Sequence, residues 1–407
     1  MKDRLHGPPK ILVAWPDLLP VNHAGAVRGA SLIRAAIDLG WEPIPVTPRI
    51  PGTPDAWPTL PAVTKFALYD SYASKFPLPV PFSLLAVTIF RITRFARRKK
   101  IRAVISSTPG LFLGLEALLA SRVLGVPFFF DVRDAWKLEE ATHKEVFRNR
   151  IKNRLEGVIC RGATEVWVVT ESLGDLVRRT HVLAPQKIRL VPNGAALEEF
   201  AGRSSQKTLD FVFLGAPSAY RDLPRLLEAI DRTHTLRPSL KVLWLGWRSP
   251  QLAERTETLL DKLSRNGVVE KAAPVAHEQV ADVISKAKSG IVSLSGEDVF
   301  RTAIGAKTYE YLAAGLPIAC LGPPGSSELR RLVEANAVGF YASNPEEFAT
   351  SAANLLSDAE RRNQQSTNAR ELARRYDRSA IAHKVLEEAV APRIAARVGS
   401  SFNGLGG

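Results

Sequence analysis

The sequence predicts an α/β protein made of two Rossmann-like, doubly wound domains facing each other across a cleft. Three observations carry this expectation. A chain of 407 residues is about twice the usual domain length, so two cores are expected rather than one. Short apolar runs alternate with segments of helical periodicity from the start of the chain, as in successive βαβ units. That series is interrupted by the polar stretch 202–207 and then begins again.

The first strand is expected over Ile11 to Trp15, followed by a helix through Leu32 and Ile37 and a second strand over Ile44 to Val46. Further strands are expected at Ala103 to Ser106, Phe128 to Asp131, Glu165 to Val169 and Ile188 to Val191, with helical segments between them. Strands separated by helices imply a parallel sheet covered on both faces. The second series has strands at Phe211 to Leu214, Val242 to Leu245, Gly290 to Leu294 and Pro317 to Cys320. The expected domains are therefore 1–201 and 208–376. A last helix, about Ser379 to Val390 within 377–395, has no strand after it and is free to return to the first domain. Ligands of such a pair of domains belong outside the carboxyl ends of the strands.

One stretch breaks the alternation. Prolines crowd the segment from Pro43 to Pro81, which excludes continuous helix or central strand and predicts an irregular excursion. Directly after it, 82–102 sets Leu84, Leu85, Val87, Ile89, Phe90, Ile92 and Phe95 beside Arg91, Arg94, Arg97, Arg98, Lys99 and Lys100. Such a basic amphipathic helix fits peripheral contact with an anionic membrane, or equally an ordinary helix packed on the sheet with a solvated basic end.

Composition narrows the function classes. Hydrophobic residues at 45% and charged residues at 24% are near globular averages, which argues against disorder and fibrous repeats. The 2 cysteines, Cys160 and Cys320, lack metal-ligand spacing and imply neither a zinc site nor a disulfide framework, so a reducing compartment is expected. No apolar stretch follows the charged N-terminal residues, and no window reaches the roughly 18 apolar residues that cross a bilayer. The expected location is cytoplasmic, at the inner face of the cell membrane if the basic helix binds there. A net charge of +14 calls for a polyanionic partner. With no zinc-finger spacing, RNP-like strand or isolated basic tail, nucleic acid is the weakest candidate, and a phosphorylated substrate or anionic lipid is expected instead.

Several segments then resemble one family. VVTESLGDLVRRTHVLAPQKIRLVPNGAALEEF, from Val168 to Phe200, resembles the hinge-proximal segment of retaining glycosyltransferases of family 4, which have the GT-B fold. The match centres on Pro192, Asn193 and Gly194, and the resemblance puts Asn193 beside the acceptor or phosphates; alone, those residues make a tight turn that leaves backbone amides facing the cleft, or a simple turn. GAKTYEYLAAGLPIACLGPPGSSELRRLVEANAVGFY, from Gly305 to Tyr341, is similar to the family's donor-binding segment. The resemblance gives Glu310 the role of binding the donor's ribose hydroxyls, a task that suits a carboxylate accepting two hydrogen bonds from a vicinal diol. It is otherwise an exposed glutamate on an amphipathic helix. Gly322, Gly325 and Ser326 lie on the loop that follows, where amides at a helix start suit a diphosphate or sugar. The family's second glutamate is replaced by Thr302, with Glu297 nearby at the wrong spacing.

ISSTPGLFLGLEALLASRVLGVPFFFDVRDAW, from Ile105 to Trp136, resembles members that assemble bacterial surface polysaccharides. Its candidates for catalysis are Asp131, Arg133 and Asp134, with an acid orienting the acceptor hydroxyl and the arginine pairing with a phosphate or locking the carboxylate. The alternative is a structural Asp–Arg pair that closes the loop. WPDLLPVNHAGAVRGASLI resembles the family's first glycine-rich loop, with His23, Gly25 and Arg28 beside the acceptor or phosphates. In the second domain Gly215 and Arg221 stand where the family offers a basic pair; Ala216 replaces the first base, so Arg221 is expected to act with Lys307.

The resemblance implies a hexosyl transfer from a nucleoside diphosphate sugar to a hydroxyl, on a saccharide or lipid-linked acceptor, with retention at the anomeric carbon. No Asp-x-Asp sequence occurs, so neither a metal nor any other cofactor is expected at the diphosphate. Two alternatives stay open: a nucleotide-sugar epimerase of the same shape, and a non-catalytic scaffold.

Overall fold

The computed structural model describes residues 7–16, 24–47, 82–134, 143–203, 205–217, 221–247 and 253–396. Contacts divide the chain into two units: Met1–Pro192 together with Arg378–Gly407, and Asn193–Asp377. Of the proline-rich stretch from Pro43 to Pro81, Pro43 and Pro45 lie in an edge strand, Glu42–Val46, where proline is tolerated, and 48–81 lie outside the described residues, as do His23 and Trp136.

The first unit runs β1 (Lys10–Ala14), α1 (Ala24–Asp38), β2 (Glu42–Val46), α2 (Phe82–Lys99), β3 (Ala103–Ser107), α3 (Leu111–Leu124), β4 (Phe128–Val132), α4 (His143–Gly162), β5 (Glu165–Val168), α5 (Glu171–His181) and β6 (Ile188–Leu190). Among the described residues its strands form a 6-stranded sheet in the order β2-β1-β3-β4-β5-β6, and every pairing is parallel. The run Phe128, Phe129, Phe130 shows why the strands read as unbroken apolar segments. Alternate side chains go to opposite faces and both faces are covered. Phe128 and Phe130 join α2, α3, α4 and α5 through Ile92, Ala117, Ile159 and Val177. Phe129 joins the other face, where Ile33 and Ala36 of α1 pack.

The second unit runs β7 (Leu209–Leu214), α6 (Leu223–Leu236), β8 (Val242–Leu245), α7 (Glu254–Arg265), β9 (Val269–Ala272), α8 (His277–Ile284), β10 (Ala287–Ser293), α9 (Ala306–Ala313), β11 (Ile318–Leu321), α10 (Glu328–Ala335), β12 (Gly339–Ala342), α11 (Pro345–Ser357) and α12 (Ala359–Ala373). Its parallel 6-stranded sheet has the order β12-β11-β10-β7-β8-β9. The two outer strands, β9 and β12, are absent from the sequence expectation. β9 reads Val-Glu-Lys-Ala with Glu270 and Lys271 exposed, and β12 is short and half-buried, so neither carries an apolar run.

The last helix, α13 (Arg378–Val385), continues through a π turn at Leu386–Val390. Its Val385, Leu386, Ala389 and Val390 are buried in the α1 face of the first unit, with Ile33 and Trp167. The division between units falls at Pro192–Asn193, upstream of the polar stretch 202–207. Ala195 donates its N–H to Tyr376 O at 3.0 Å and bridges to Asp377, which fastens both crossings of the chain to the second unit.

In each sheet the strand order reverses once, between β1 and β3 and between β7 and β10. The carboxyl ends at a reversal leave a crevice between loops that diverge to opposite sides, which is where this fold holds ligands.

Candidate functional site

In the first unit, the carboxyl ends of β1, β3 and β4 converge on a buried ion pair. Arg28, in the second turn of α1, donates from Nε to Asp131 Oδ2 at 3.1 Å and from Nη2 to Oδ1 at 2.8 Å. It also donates to Val191 O at 2.8 Å and Pro192 O at 2.9 Å. Asp131 is 0% exposed, and Ser107 Oγ donates to its Oδ2 at 2.9 Å. Two carboxylate oxygens held by a guanidinium fork and a hydroxyl are fixed, charged and closed to solvent. Asp131 therefore pairs with Arg28 of a distant helix, and not with its neighbour Arg133.

Arg133 is held at the mouth of this cluster. Its backbone N–H donates to Thr108 Oγ1 at 3.0 Å, and its Nε donates to Thr108 O at 2.9 Å, with Nη2 donating to the same carbonyl. The guanidinium lies 5.9 Å from the Trp15 ring and presses on Gly25, where any Cβ would collide with it. Trp15 Nε1 donates to Gly25 O at 2.8 Å, completing the seat. A side chain at position 25 would displace the arginine from this seat. Asp134 is the exposed acid of the three. Crowding by the surrounding chain raises its pKa, attraction to Arg133 opposes the rise, and repulsion from Asp131 adds to it. Contact with water tempers that rise.

In the second unit, Glu310 and Lys307 share the first turns of α9. Lys307 Nζ donates to both Glu310 oxygens at 3.1 Å; the glutamate side chain is 6% exposed and the lysine 36%. Tyr311, fully buried next to it, donates its hydroxyl to Val212 O at 3.2 Å and accepts from Leu214 N–H at 2.9 Å. This ties α9 to the end of β7. Burial pushes the Tyr311 phenol far above its ordinary value, and the bond from Leu214 N–H opposes that rise. At that strand end Gly215 has φ +116, and the Arg221 guanidinium rests against it where a Cβ would be. Arg221 donates to Leu214 O at 2.8 Å and sits 5.2 Å from the Phe213 ring. Burial lowers its pKa and Tyr311 opposes that shift, yet an arginine lowered from 12.5 remains a cation.

The loop Gly322–Ser326 closes the same end of the sheet. Gly322 lies on the Tyr341 hydroxyl, which donates to Pro323 O at 2.7 Å. Gly325 takes φ +80. Ser327, not Ser326, caps α10 by accepting from Arg330 N–H at 3.1 Å; Ser326 Oγ faces Arg331 at 3.5 Å. Arg225 holds the loop from the other side, donating to Gly322 O at 3.3 Å and Ser343 O at 2.7 Å. Thr302 lies in a 3-10 turn, Asp298–Thr302, bonded to Val299 O at 3.1 Å, and Glu297 accepts from Ser295 Oγ at 3.1 Å. Asn193 begins the second unit, directly after the Pro192 carbonyl that Arg28 binds.

Within each unit, then, the structure brings together Gly25, Arg28, Asp131 and Arg133, and separately Gly215 with Arg221 and Lys307 with Glu310. The sequence reading missed Ser107, Thr108, Arg225 and Tyr341. Arg225 follows Arg221 by one helical turn, a spacing that offered a signal; the other three have none. A cavity of ≈ 380 Å³ runs along β12, lined by Tyr341 together with Gln364, Gln365 and Asn368. Among the described residues no group of His, Cys, Asp and Glu could hold a metal ion, and no helix is long and apolar enough to cross a membrane.

Two Rossmann-like units, each with cations and glycines at the reversal of its sheet, define the class of architecture: the GT-B fold. The comparisons specify it further. Residues 24–194 match the glycosyl transferase 4-like domain and residues 197–372 match glycosyl transferases group 1, so the chain belongs to the GT-B glycosyltransferases. No curated protein sequence matches it. Among solved structures, sucrose-phosphate synthase from Thermosynechococcus elongatus superposes with TM-score 0.73 at 16% identity, covering 97% of this chain and 100% of that one. Anabaena HepE in complex with UDP and glucose gives TM-score 0.66 at 15% identity, over 93% and 98% of the two chains. A putative UDP-N-acetylglucosamine 2-epimerase from Listeria monocytogenes gives 0.59 at 12% identity, over 93% and 95%.

Proposed function

We propose that the chain transfers a hexose from a nucleoside diphosphate sugar, with retention and without a metal or other cofactor, to a hydroxyl of a saccharide or lipid-linked acceptor in surface-polysaccharide assembly. The observation that carries the donor half is the α9 pair. A buried carboxylate neutralised by a half-exposed lysine is poised to accept two ribose hydroxyls while the lysine turns to phosphate. Arg221 and the amides of the Gly322–Ser326 loop supply the remaining positive potential for the leaving diphosphate. The complex of the HepE neighbour with UDP and glucose supports the same donor class.

In the first unit, Asp131 is a positioning residue, since Arg28 and Ser107 hold both of its oxygens. The acceptor hydroxyl then falls to Asp134, with Arg133 and the α1 start at Gly25 available to an anionic group.

The test is incubation of the chain with radiolabelled UDP-, GDP- and ADP-hexoses and lipid-extracted acceptors, with and without chelator. Transfer of label to an acceptor, unaffected by chelator and lost in Glu310→Ala, is expected. Release of an altered free sugar without acceptor would establish the epimerase instead, and no turnover of any donor the chain binds would make it a scaffold.

A further inference from the structure

Helix α2 has two faces, and among the described residues only one packs on the core. Thr88, Ile92 and Ala96 are 3%, 1% and 0% exposed and, with Phe95, face the core of the first unit. On the opposite side Val87 is 45% and Phe90 63% exposed, in line with exposed Arg91, Arg94, Arg97 and Arg98. The apolar residues that look like one stripe in the sequence are thus split, with Ile92 and Phe95 spent on packing and Val87 and Phe90 left outside. Positions 87, 90, 91, 94 and 98 recur at three- and four-residue spacing, so they form one continuous stripe.

The charge of this face is one-sided. Residues 82–102 contain seven cations and no acid, half of the chain's net charge of +14. Among the described residues none of Arg91, Arg94, Arg97, Arg98, Lys99 and Lys100 has an ion-pair partner, whereas cations elsewhere, such as Arg232, Lys262 and Arg330, are paired. A surface of this kind repels itself and is stabilised by an extended anionic partner. Eighteen helical residues span roughly 27 Å at 1.5 Å each, a straight edge suited to a plane.

We infer that the outer face of α2 docks the chain on an anionic phospholipid surface, with Phe90 and Val87 entering the acyl boundary and Arg91, Arg94 and Arg98 binding lipid phosphates. The apolar pair decides between partners: a phenylalanine between arginines gains by leaving water for acyl chains, and a duplex backbone offers it no such place. The contact is peripheral and independent of the donor chemistry proposed above.

The test is co-sedimentation of the full chain with vesicles of phosphatidylcholine alone or mixed with phosphatidylglycerol, at low salt and at about 0.15 M salt. Binding to the mixed vesicles only, weakened by salt, is expected. Arg91→Glu/Arg94→Glu/Arg98→Glu should lower the affinity at least tenfold, and Phe90→Ser by about threefold, both with unchanged unfolding midpoints. Lys241→Glu/Arg255→Glu/Arg265→Glu, an equal charge reversal on exposed sites of the second unit, should leave binding intact. Equal binding to neutral vesicles, no binding to the mixed ones at low salt, or equal loss in the two triple variants would overturn the inference. So would wild-type protein that binds a DNA duplex and ignores the vesicles.

Discussion

Replacing Arg28 by methionine should destabilise the first unit by about 3–5 kcal/mol, because it removes one partner of a buried ion pair and strands the other. The structure sets that scale. Arg28 makes both contacts to Asp131 and two more to the Val191 and Pro192 carbonyls, all at 2.8–3.1 Å. After substitution, Asp131 keeps only the Ser107 hydroxyl while remaining fully buried. A loss of this size is a large share of a typical domain stability of about 5–15 kcal/mol. Because the two units need not unfold together, the assay is hydrogen exchange of β4 amides, 128–132, which reports the first unit alone. Protection should fall between about a hundredfold and a few thousandfold, at tenfold per 1.4 kcal/mol. Arg28→Met/Asp131→Leu should recover much of the loss, since it leaves no charge without a partner. A change below about fivefold in the single variant, or a double variant as unstable as the two single losses combined, would refute the claim that Asp131 is held in place by Arg28.

Other outcomes follow from burial. Gly290→Ala should cost about 1–3 kcal/mol in chemical denaturation, because its Cβ would lie 2.5 Å from the ring of the buried Tyr311; an unchanged midpoint would show that the ring can yield. Burial raises the thiols of Cys160 and Cys320 well above the ordinary 9.0, so the folded chain should resist alkylation at pH 8 and react only on unfolding. The same shifts, with that of Tyr311, make stability full below pH 9 and declining above it, as unfolded thiols and phenols ionise before the folded ones. Denaturant midpoints flat from pH 8 to pH 11 would contradict the burial of these groups.

Much of this architecture can be read in the sequence because the central strands are buried on both faces, and burial of that kind leaves unbroken apolar runs such as Phe128–Phe130. The strands that escape, β9 and β12, are outer ones, half-solvated and charged or glycine-containing. The Lys307–Glu310 pair is legible for a related reason, since three residues of helix bring the two together. Arg28 and Asp131 are 103 residues apart, and no local pattern links them; only the folded sheet does. Tyr341 under Gly322 is hidden in the same way. Side chains that act within one turn are visible in sequence, while those joined across strands need the coordinates. The α2 stripe lies between these cases: its periodicity is plain, but which apolar residues remain outside depends on what the sheet has already covered.

The central claim is that the second unit binds a nucleotide through Glu310. Titration calorimetry with UDP, GDP, ADP and CDP on wild type and Glu310→Ala tests it most directly. One nucleotide should bind the wild-type chain, and the variant should bind it at least tenfold more weakly, about 1.4 kcal/mol, with the fold intact. Equal affinity in wild type and variant would contradict the ribose role of Glu310, and no heat with any of the four would contradict the donor site itself.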